Sequence, residues 1–233
     1  MAETASLDYS PSFGTFRALL RSAIATEKKD LLVSIIGGGL VGSLCACILG
    51  NQGIRVKVYE YRNECVRSAE IAEGRSMNLL LSERGLSALR LAGMEEKAIF
   101  DLTIPIKGRI LHTKEGRKIP FLSDRKGRCV YSIMRKDLNE VIIAAAKENP
   151  NVDIFFNYKF INFDFKTNKF ETKGPDGEIE DNSADLLIGC DGAYSAVRKQ
   201  MLRTPRFNHS QSYFEHGYIE LAIPPTSTGK VSG

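Results

Sequence analysis

The sequence predicts an α/β fold in which a parallel sheet is interrupted by a small inserted β-sheet. Three observations indicate this class. A buried apolar strand at 31–36 leads through a glycine-rich turn into a helix of small and apolar residues. A second apolar run at 184–190 ends abruptly at Asp191, and strand-like segments dominate the chain between these two units. With 233 residues and 43% hydrophobic content, the chain is long enough to bury such a core.

Charge and cysteine content exclude several classes of function. The chain has 32 Lys+Arg against 28 Asp+Glu and no basic block, so we expect no nucleic-acid partner. Five cysteines without a C-x-x-C pair and three scattered histidines favour neither a disulfide framework nor a metal site. The chemistry is therefore expected to come from a bound organic cofactor, or from carboxylates and arginines.

The N-terminal region raises the questions of targeting and of membrane insertion. Residues 1–30 balance basic against acidic side chains, unlike a mitochondrial presequence, and are predicted to be a poorly ordered extension. The uncharged stretch 31–54 is long enough to span a bilayer, and Gly38 with Gly42 matches a G-x-x-x-G pattern. Its many glycines, the Asn51–Gln52 pair and the β-branched run that follows favour a soluble strand, turn and helix instead.

The first unit has the pattern of a nucleotide-binding βαβ motif. The strand 31–36 stops at G-x-G-x-x-G, where Gly37 permits the tight turn, Gly39 lets backbone approach a pyrophosphate and Gly42 lets helix and strand pack. A helix at 40–51 and a strand at 54–59 follow, and the strand ends at Glu60. A carboxylate there can accept hydrogen bonds from a ribose. The pattern predicts dinucleotide binding over a purely structural glycine turn, but the acid does not choose between NAD and FAD.

The middle of the chain is predicted to form the inserted sheet and then to return to helix. A strand at 76–81 precedes a capped helix at 82–91, and further strands are predicted at 106–112, 119–121 and 129–134. Helical periodicity returns at 137–148. Strands of a meander are predicted at 152–156, 160–165 and 169–173, followed by a hairpin turn at 175–177.

Asp191 ends the second buried strand, at 184–190. An aspartate at the carboxyl end of a parallel strand faces the crevice where ligands of open α/β sheets bind. The alternative is an ordinary helix N-cap, which aspartate fills well. The residues alone leave the two roles equal, and the glycine motif elsewhere in the chain favours the ligand role.

Several segments resemble a known family. They are the glycine turn with Tyr59–Glu60, the stretches 74–79 and 190–195, and the shorter matches at 205–207 and 216–221. Together these segments resemble the aromatic hydroxylases that use FAD and NADPH, and most closely the kynurenine 3-monooxygenase family. The resemblance runs from about 31 to 225. It implies a Rossmann-like FAD-binding domain at 31–223 that carries part of a substrate-binding sheet, with a polar tail at 224–233.

The resemblance also implies site residues. In addition to the three motif glycines, the FAD contacts it implies are Val41, Tyr59, Glu60, Tyr61, Arg62, Leu80, Arg135, Phe160 and Asp191. The residue types themselves support only the glycines, Glu60 and Asp191. Arg135 could equally be a surface residue, and Leu80 and Phe160 could belong to the core.

Two further residues are implied in substrate binding. Arg109 matches the family arginine that receives the carboxylate of the substrate, and a guanidinium pairs two-point with a carboxylate. On an alternating strand it could also be a solvated surface residue. Phe121 stands where the family has a tyrosine, which removes a hydroxyl and is expected to change substrate affinity by about 1 kcal/mol if that hydroxyl bonds the ligand.

The implied reaction is hydroxylation of L-kynurenine to 3-hydroxykynurenine, with FAD, NADPH and O2. No side chain is expected to act as a nucleophile or general base.

Members of the family continue well beyond residue 225 and are bound to the cytosolic face of the mitochondrial outer membrane through a C-terminal segment. The chain is therefore expected to be an N-terminal fragment or short form, and a soluble cytoplasmic protein is an equal expectation. A non-catalytic nucleotide-binding module and a related aromatic hydroxylase or halogenase remain as alternatives.

Overall fold

The computed structural model describes residues 31–64, 78–94, 99–123 and 129–217. The predicted extension at 1–30 and the polar tail at 224–233 lie outside these ranges, so the domain boundaries stay predictions. The elements in chain order are β1 (Leu32–Ile36), α1 (Leu40–Gly50), β2 (Arg55–Glu60), β3 (Asn78–Leu81), α2 (Glu83–Leu91), β4 (Ile104–Ile106), β5 (Gly108–His112), β6 (Lys118–Leu122), β7 (Val130–Met134), α3 (Arg135–Glu148), β8 (Val152–Phe156), β9 (Lys159–Asp164), β10 (Lys169–Lys173), β11 (Ile179–Ser183), β12 (Leu186–Gly189) and α4 (Ala196–Met201).

A four-stranded parallel sheet with the order β12-β1-β2-β8 forms the centre of the fold. The predicted strand–turn–helix–strand unit is confirmed, since β1 and β2 pair in parallel and α1 connects them. Because both strands run in the same direction, the glycine turn after β1 and Glu60 at the end of β2 lie at the same edge of the sheet. The start of β12 is held to β1 by the backbone N–H of Asp185, which donates to the carbonyl of Leu32 at 3.0 Å.

The two faces of this sheet are covered by different layers. Val33, Ile35, Val56 and Val58 are buried in a core cluster that includes residues of α1 and α3. Side chains of the opposite face, among them Ile36 and Tyr59, pack in a second cluster that includes residues of the β9–β11 meander. This alternation follows from the period of two along each strand, and it explains why β1 is apolar almost throughout.

The predicted inserted sheet is present, in two parts. Strands β3, β7 and β4 form an antiparallel sheet, and β5 with β6 forms a separate hairpin. The prediction of a single strand at 106–112 was wrong in one respect, because two strands, β4 and β5, lie on either side of Lys107. Alternation of apolar residues continues across the break, so periodicity alone cannot reveal it.

The prediction that the strand at 152–156 belongs to the meander was wrong. β8 pairs in parallel with β2 and belongs to the central sheet, whereas the meander is formed by β9, β10 and β11. The reason is topological: α3 provides the crossover that a parallel strand needs, and the run 152–156 looks the same in either sheet. β11, which the sequence did not predict, carries four polar or charged residues in five.

The stretch that could have spanned a bilayer forms β1, the glycine turn and α1. Among residues 31–64, 78–94, 99–123 and 129–217, every helix is too short or too polar to cross a membrane. The second apolar strand, β12, is less buried than predicted, and Leu186 is half exposed at the edge of the sheet.

Candidate nucleotide-binding site

Two of the three motif glycines are required by the packing of the chain itself. Gly37 has a φ of +97°, and a Cβ there would lie 2.6 Å from the carbonyl oxygen of Cys190. A Cβ at Gly42 would lie 1.9 Å from the carbonyl oxygen of Gly37. These distances are far below van der Waals contact, so β1, the turn, α1 and the end of β12 can approach each other only if both positions are glycine.

Gly39 differs from the other two. Its φ of −69° suits any residue, and apart from its two chain neighbours no described residue has an atom within 4 Å of the position that a Cβ would take. Nothing in the described part of the chain therefore requires glycine at this position. The open space beside Gly39 adjoins the N-terminus of α1, where a bound group could approach the backbone closely.

The N-terminus of α1 is open to an anion. Gly39 is its N-cap residue and provides no side-chain hydrogen bond, and no acidic residue occupies the first turn. The first N–H groups of a helix have no intrahelical acceptor, and the helix dipole adds partial positive charge. A phosphate group at this end would satisfy those donors, as in other nucleotide sites at helix N-termini.

Glu60 is fixed beside the glycine turn. Its side chain is buried, and its Oε2 accepts a hydrogen bond from the backbone N–H of Gly38 at 2.7 Å. Its Oε1 accepts from the backbone N–H of Arg62 at 3.1 Å and lies 3.6 Å from the Arg62 guanidinium. A carboxylate has about four lone-pair sites, so these contacts leave acceptor capacity for the hydroxyl groups of a ribose.

Asp191 accepts hydrogen bonds at the N-terminus of α4. Its Oδ1 accepts from the hydroxyl of Ser195 at 2.6 Å, and its Oδ2 accepts from the backbone N–H groups of Ala196 and Val197 at 2.6 and 3.2 Å. The N-cap alternative is therefore wrong in detail, because the N-cap residue of this helix is Ser195, although Asp191 does accept from its first N–H groups. Since Asp191 also follows Cys190 at the mouth of the glycine turn, its contact with a cofactor stays a prediction that rests on its backbone and remaining lone pairs.

Four predicted cofactor residues have side chains that face solvent. Val41, Tyr61 and Leu80 are 69%, 67% and 62% exposed, and Arg135 is exposed at the first residue of α3. Burial of exposed, large apolar side chains under a ligand is favourable, because apolar surface is removed from water. The exposure of these residues is compatible with the predicted contacts.

Tyr59 and Phe160 are placed differently, because their side chains are buried in the second core cluster. The Tyr59 ring stacks on Phe155 at 5.2 Å, and its hydroxyl is hydrogen-bonded to Asn182 at 2.9 Å. Phe160 stacks on Phe170 with centroids 6.5 Å apart. Contact of either residue with a cofactor would therefore have to involve the backbone.

The two predicted substrate residues are brought together. Arg109 of β5 and Phe121 of β6 are directly opposite each other in the antiparallel hairpin, and both are exposed. Directly opposed side chains lie on the same face, about 5 Å apart at Cβ. The sequence placed the two residues in one site without indicating that they pair.

Two half-buried thiols, those of Cys45 and Cys190, lie close to the glycine motif. Burial raises the pKa of Cys45 to about 12, with a smaller contribution from Cys190. Burial also raises the pKa of Cys190, with the Asp191 charge as the second cause. These thiols stay protonated near neutral pH, so they are poor nucleophiles.

Sequence reasoning missed Gly38 and Ser195 as site residues. Gly38 occupies a variable position of the motif, and its N–H connects the turn to Glu60. Ser195 is buried and its Oγ accepts from the Arg198 N–H at 2.9 Å while donating to Asp191. Serine is a preferred N-cap residue, so its position directly before the run 196–201 was the signal that could have revealed Ser195.

Comparison with known families gives one match that covers most of the chain. Residues 30–227 match the family model described as FAD binding domain. Curated relatives include kynurenine 3-monooxygenase of Anopheles gambiae, 45% identical over 206 residues, which are 88% of this chain and 42% of the relative. The Sus scrofa kynurenine 3-monooxygenase is 42% identical over 193 residues, 83% of this chain and 41% of the relative. The chain thus spans less than half the length of the curated relatives it matches.

Solved structures share the fold. The p-nitrophenol 4-monooxygenase PnpA from Pseudomonas putida DLL-E4 has a TM-score of 0.62 at 24% identity, covering 74% of this chain and 43% of that chain. The flavin-dependent monooxygenase PieE, solved in complex with FAD and substrate, has a TM-score of 0.62 at 17% identity, covering 74% of this chain and 32% of that chain.

Proposed function

Because the chain belongs to the FAD-binding domain family, we propose that its glycine turn and Glu60 hold the adenosine and diphosphate portion of FAD. The observation that carries this proposal is the difference between the motif glycines. Gly37 and Gly42 are explained by contacts within the chain, whereas the open surface at Gly39 is explained by close approach of a ligand. A purely structural glycine turn would not need a glycine at that position.

The residues of the turn would bind FAD through complementary charges. The diphosphate would accept hydrogen bonds from the N–H groups at the start of α1, where no acidic side chain competes. Glu60 would accept from the ribose hydroxyls, and its hydrogen bonds to Gly38 and Arg62 hold it in place before binding. When bound, FAD supplies the redox chemistry, while the protein supplies orientation and electrostatics.

We further propose that the chain forms the N-terminal part of a kynurenine hydroxylase. The overall reaction converts L-kynurenine, NADPH, H⁺ and O2 to 3-hydroxykynurenine, NADP⁺ and water. Curated relatives named kynurenine 3-monooxygenase, at 42–45% identity, support this assignment. Arg109 would pair with the substrate carboxylate on the exposed face of the β5–β6 hairpin, and Phe121 would lie directly beside it.

Exposed apolar side chains favour a part of a larger enzyme over an independent nucleotide-binding module. On the β5–β6 hairpin Leu122 is 74% exposed, and the other large apolar residues are also exposed, namely Ile110, Leu111, Ile119 and Phe121. Because successive residues of a strand point to opposite faces, these side chains lie on both faces of the hairpin. Exposed apolar side chains that cluster in this way favour a contact with further protein or with ligand. For the whole enzyme, the resemblance further suggests association with the mitochondrial outer membrane.

The proposal is tested by expressing residues 1–233 and recording the visible absorption spectrum before and after addition of FAD. We expect a flavin band that remains with the protein through gel filtration. Gly39→Ala should abolish retention and leave far-UV circular dichroism unchanged, since its Cβ meets no described atom. Retention of FAD by the variant at the level of the unmodified chain would contradict the proposed role of the turn.

A further inference from the structure

A cleft of about 530 Å³ lies beyond Glu60 and is bordered by three cationic side chains. Its walls come from the residues after β2, from the β8–β9 turn and from the β10–β11 turn. We call it the lysine cleft and define it by Tyr61, Arg62, Lys159 and Lys173. The backbone N–H of Tyr158 donates to the carbonyl of Glu60 at 2.9 Å, which fixes the cleft directly beside the candidate ribose acceptor.

The two lysines of the cleft form an unfavourable pair. Lys159 of β9 and Lys173 of β10 are directly opposite each other in the antiparallel meander. Like charges in this arrangement destabilise a sheet. At the other end of the same strand pair, Lys169 is opposite Asp164, which is the favourable combination. An anion bound between the two ammonium groups would offset their repulsion, and this would explain why two lysines face each other beside a cavity.

Neither lysine of the pair forms a salt bridge with a carboxylate of the described residues. Tyr61 contributes its ring, which lies 5.9 Å from the Lys159 ammonium nitrogen, whereas the Arg62 guanidinium lies 3.6 Å from Oε1 of Glu60. Two carboxylates lie at the border of the cleft, since a Cβ at the lining residue Gly174 would be 3.1 Å from Asp176 Oδ1 and 3.2 Å from Glu180 Oε1. Glu180 accepts from the hydroxyl of Tyr158 at 3.3 Å, and Asp176 accepts from the backbone N–H of Glu178 at 3.0 Å. The charged residues that line the cleft are all basic.

We propose that the lysine cleft binds a dianionic phosphate group, and specifically the ribose 2′-phosphate of NADPH. The argument rests on the proposed function, in which FAD occupies the glycine turn. A 2′-phosphate cannot bind at Glu60, because the carboxylate would repel it. A second nucleotide that carries this phosphate therefore needs a separate cationic site, and the ammonium groups of Lys159 and Lys173 provide charge-assisted donors for it.

The test is isothermal titration of the FAD-loaded 233-residue chain with NADP⁺, NAD⁺ and orthophosphate. NADP⁺ and NAD⁺ differ only in the 2′-phosphate, and neither reduces the flavin. We expect NADP⁺ to bind about tenfold more tightly than NAD⁺. Lys159→Gln and Lys173→Gln should each remove most of that difference and leave FAD retention unchanged. Lys169→Gln is the matched control on the same strand, and it should bind like the unmodified chain.

Each outcome decides between the alternatives. Lysine-dependent binding of orthophosphate without preference for NADP⁺ would support a phosphate site but assign it to free phosphate. The proposal would be overturned if the double variant, with both Lys159→Gln and Lys173→Gln, bound each of the three ligands as tightly as the unmodified chain does. If the unmodified chain fails to retain FAD, the proposed function fails, whereas the same titration of the FAD-free chain still tests the cleft.

Discussion

The backbone N–H of Gly38 donates to Oε2 of Glu60 at 2.7 Å, across 22 residues of sequence. This hydrogen bond connects the turn that would receive a diphosphate to the carboxylate that would receive a ribose. Because the bond is buried and charge-assisted, it holds both parts of the site in one geometry before a ligand arrives. Part of the ordering cost of binding is thereby met during folding.

Replacing Glu60 with glutamine should weaken both the site and the fold. Glu60 accepts from two backbone donors, one at each oxygen, and an amide would present its NH2 group to one of them. An unsatisfied buried donor costs about 1–3 kcal/mol, so we expect a loss of that size in the free energy of unfolding measured with urea. FAD affinity should fall by about tenfold or more. Glu148→Gln, at an exposed position of α3, is the control. Unchanged stability in Glu60→Gln would show that the hydrogen bond lost to the amide contributes nothing.

Gly42→Ala should damage the fold itself. The added methyl group would lie 1.9 Å from the carbonyl oxygen of Gly37, so the helix must move away from the turn. Overpacking of this kind costs about 1–3 kcal/mol or more, and we expect a clear decrease in the melting temperature of the FAD-free chain. Gly39→Ala is the matched control, since its methyl group meets no described atom. A common melting temperature for the two variants would contradict the distinct roles of these glycines.

The glycine turn and Glu60 were predictable from the sequence, but the residues that meet across distant strands were not. The turn 37–42 and Glu60 follow local rules of spacing, because strand, helix and strand are adjacent in the chain. In contrast, the Lys159–Lys173 pair depends on the register between two strands of a meander whose first strand was assigned wrongly. A one-residue change of register would place opposed side chains on different faces, so no local pattern reveals which lysines meet.

Asp191→Ala should destabilise α4 and the end of β12. The carboxylate accepts three hydrogen bonds, from the Ser195 hydroxyl and from the N–H groups of Ala196 and Val197. Loss of a side chain that accepts from the first N–H groups of a helix, as an N-cap residue does, costs about 0.5–2 kcal/mol, and urea unfolding would measure this loss. Asp191→Asn retains acceptor capacity and should recover part of the loss. If Asp191→Ala lowers FAD retention and Asp191→Asn restores it, Asp191 supports the site through its hydrogen bonds to the helix N-terminus. An equal loss of FAD retention in both variants would instead indicate that the negative charge of Asp191 is needed.

Stability should decline at alkaline pH because several buried acidic groups are neutral in the folded chain. Burial raises the pKa of Cys45 from 9.0 to about 12 and that of Cys47 to about 11. Burial, with a smaller effect of the Glu180 charge, raises the pKa of Tyr59 from 10.0 to about 12. Unfolded thiols lose their protons near pH 9, so the folded state is favoured fully below that pH and loses this advantage as pH rises through the folded values.

The expected slope is about 1.4 kcal/mol per pH unit for each group that ionises only in the unfolded chain. Urea unfolding between pH 8 and pH 11 would therefore show a falling free energy, and Cys45→Ala should make the decline shallower even if it lowers stability at pH 7. The comparison of slopes separates ionisation from the packing loss, because removal of a side chain shifts the curve at every pH. A free energy of unfolding that stays constant up to pH 11 would mean that these thiols reach solvent in the folded protein.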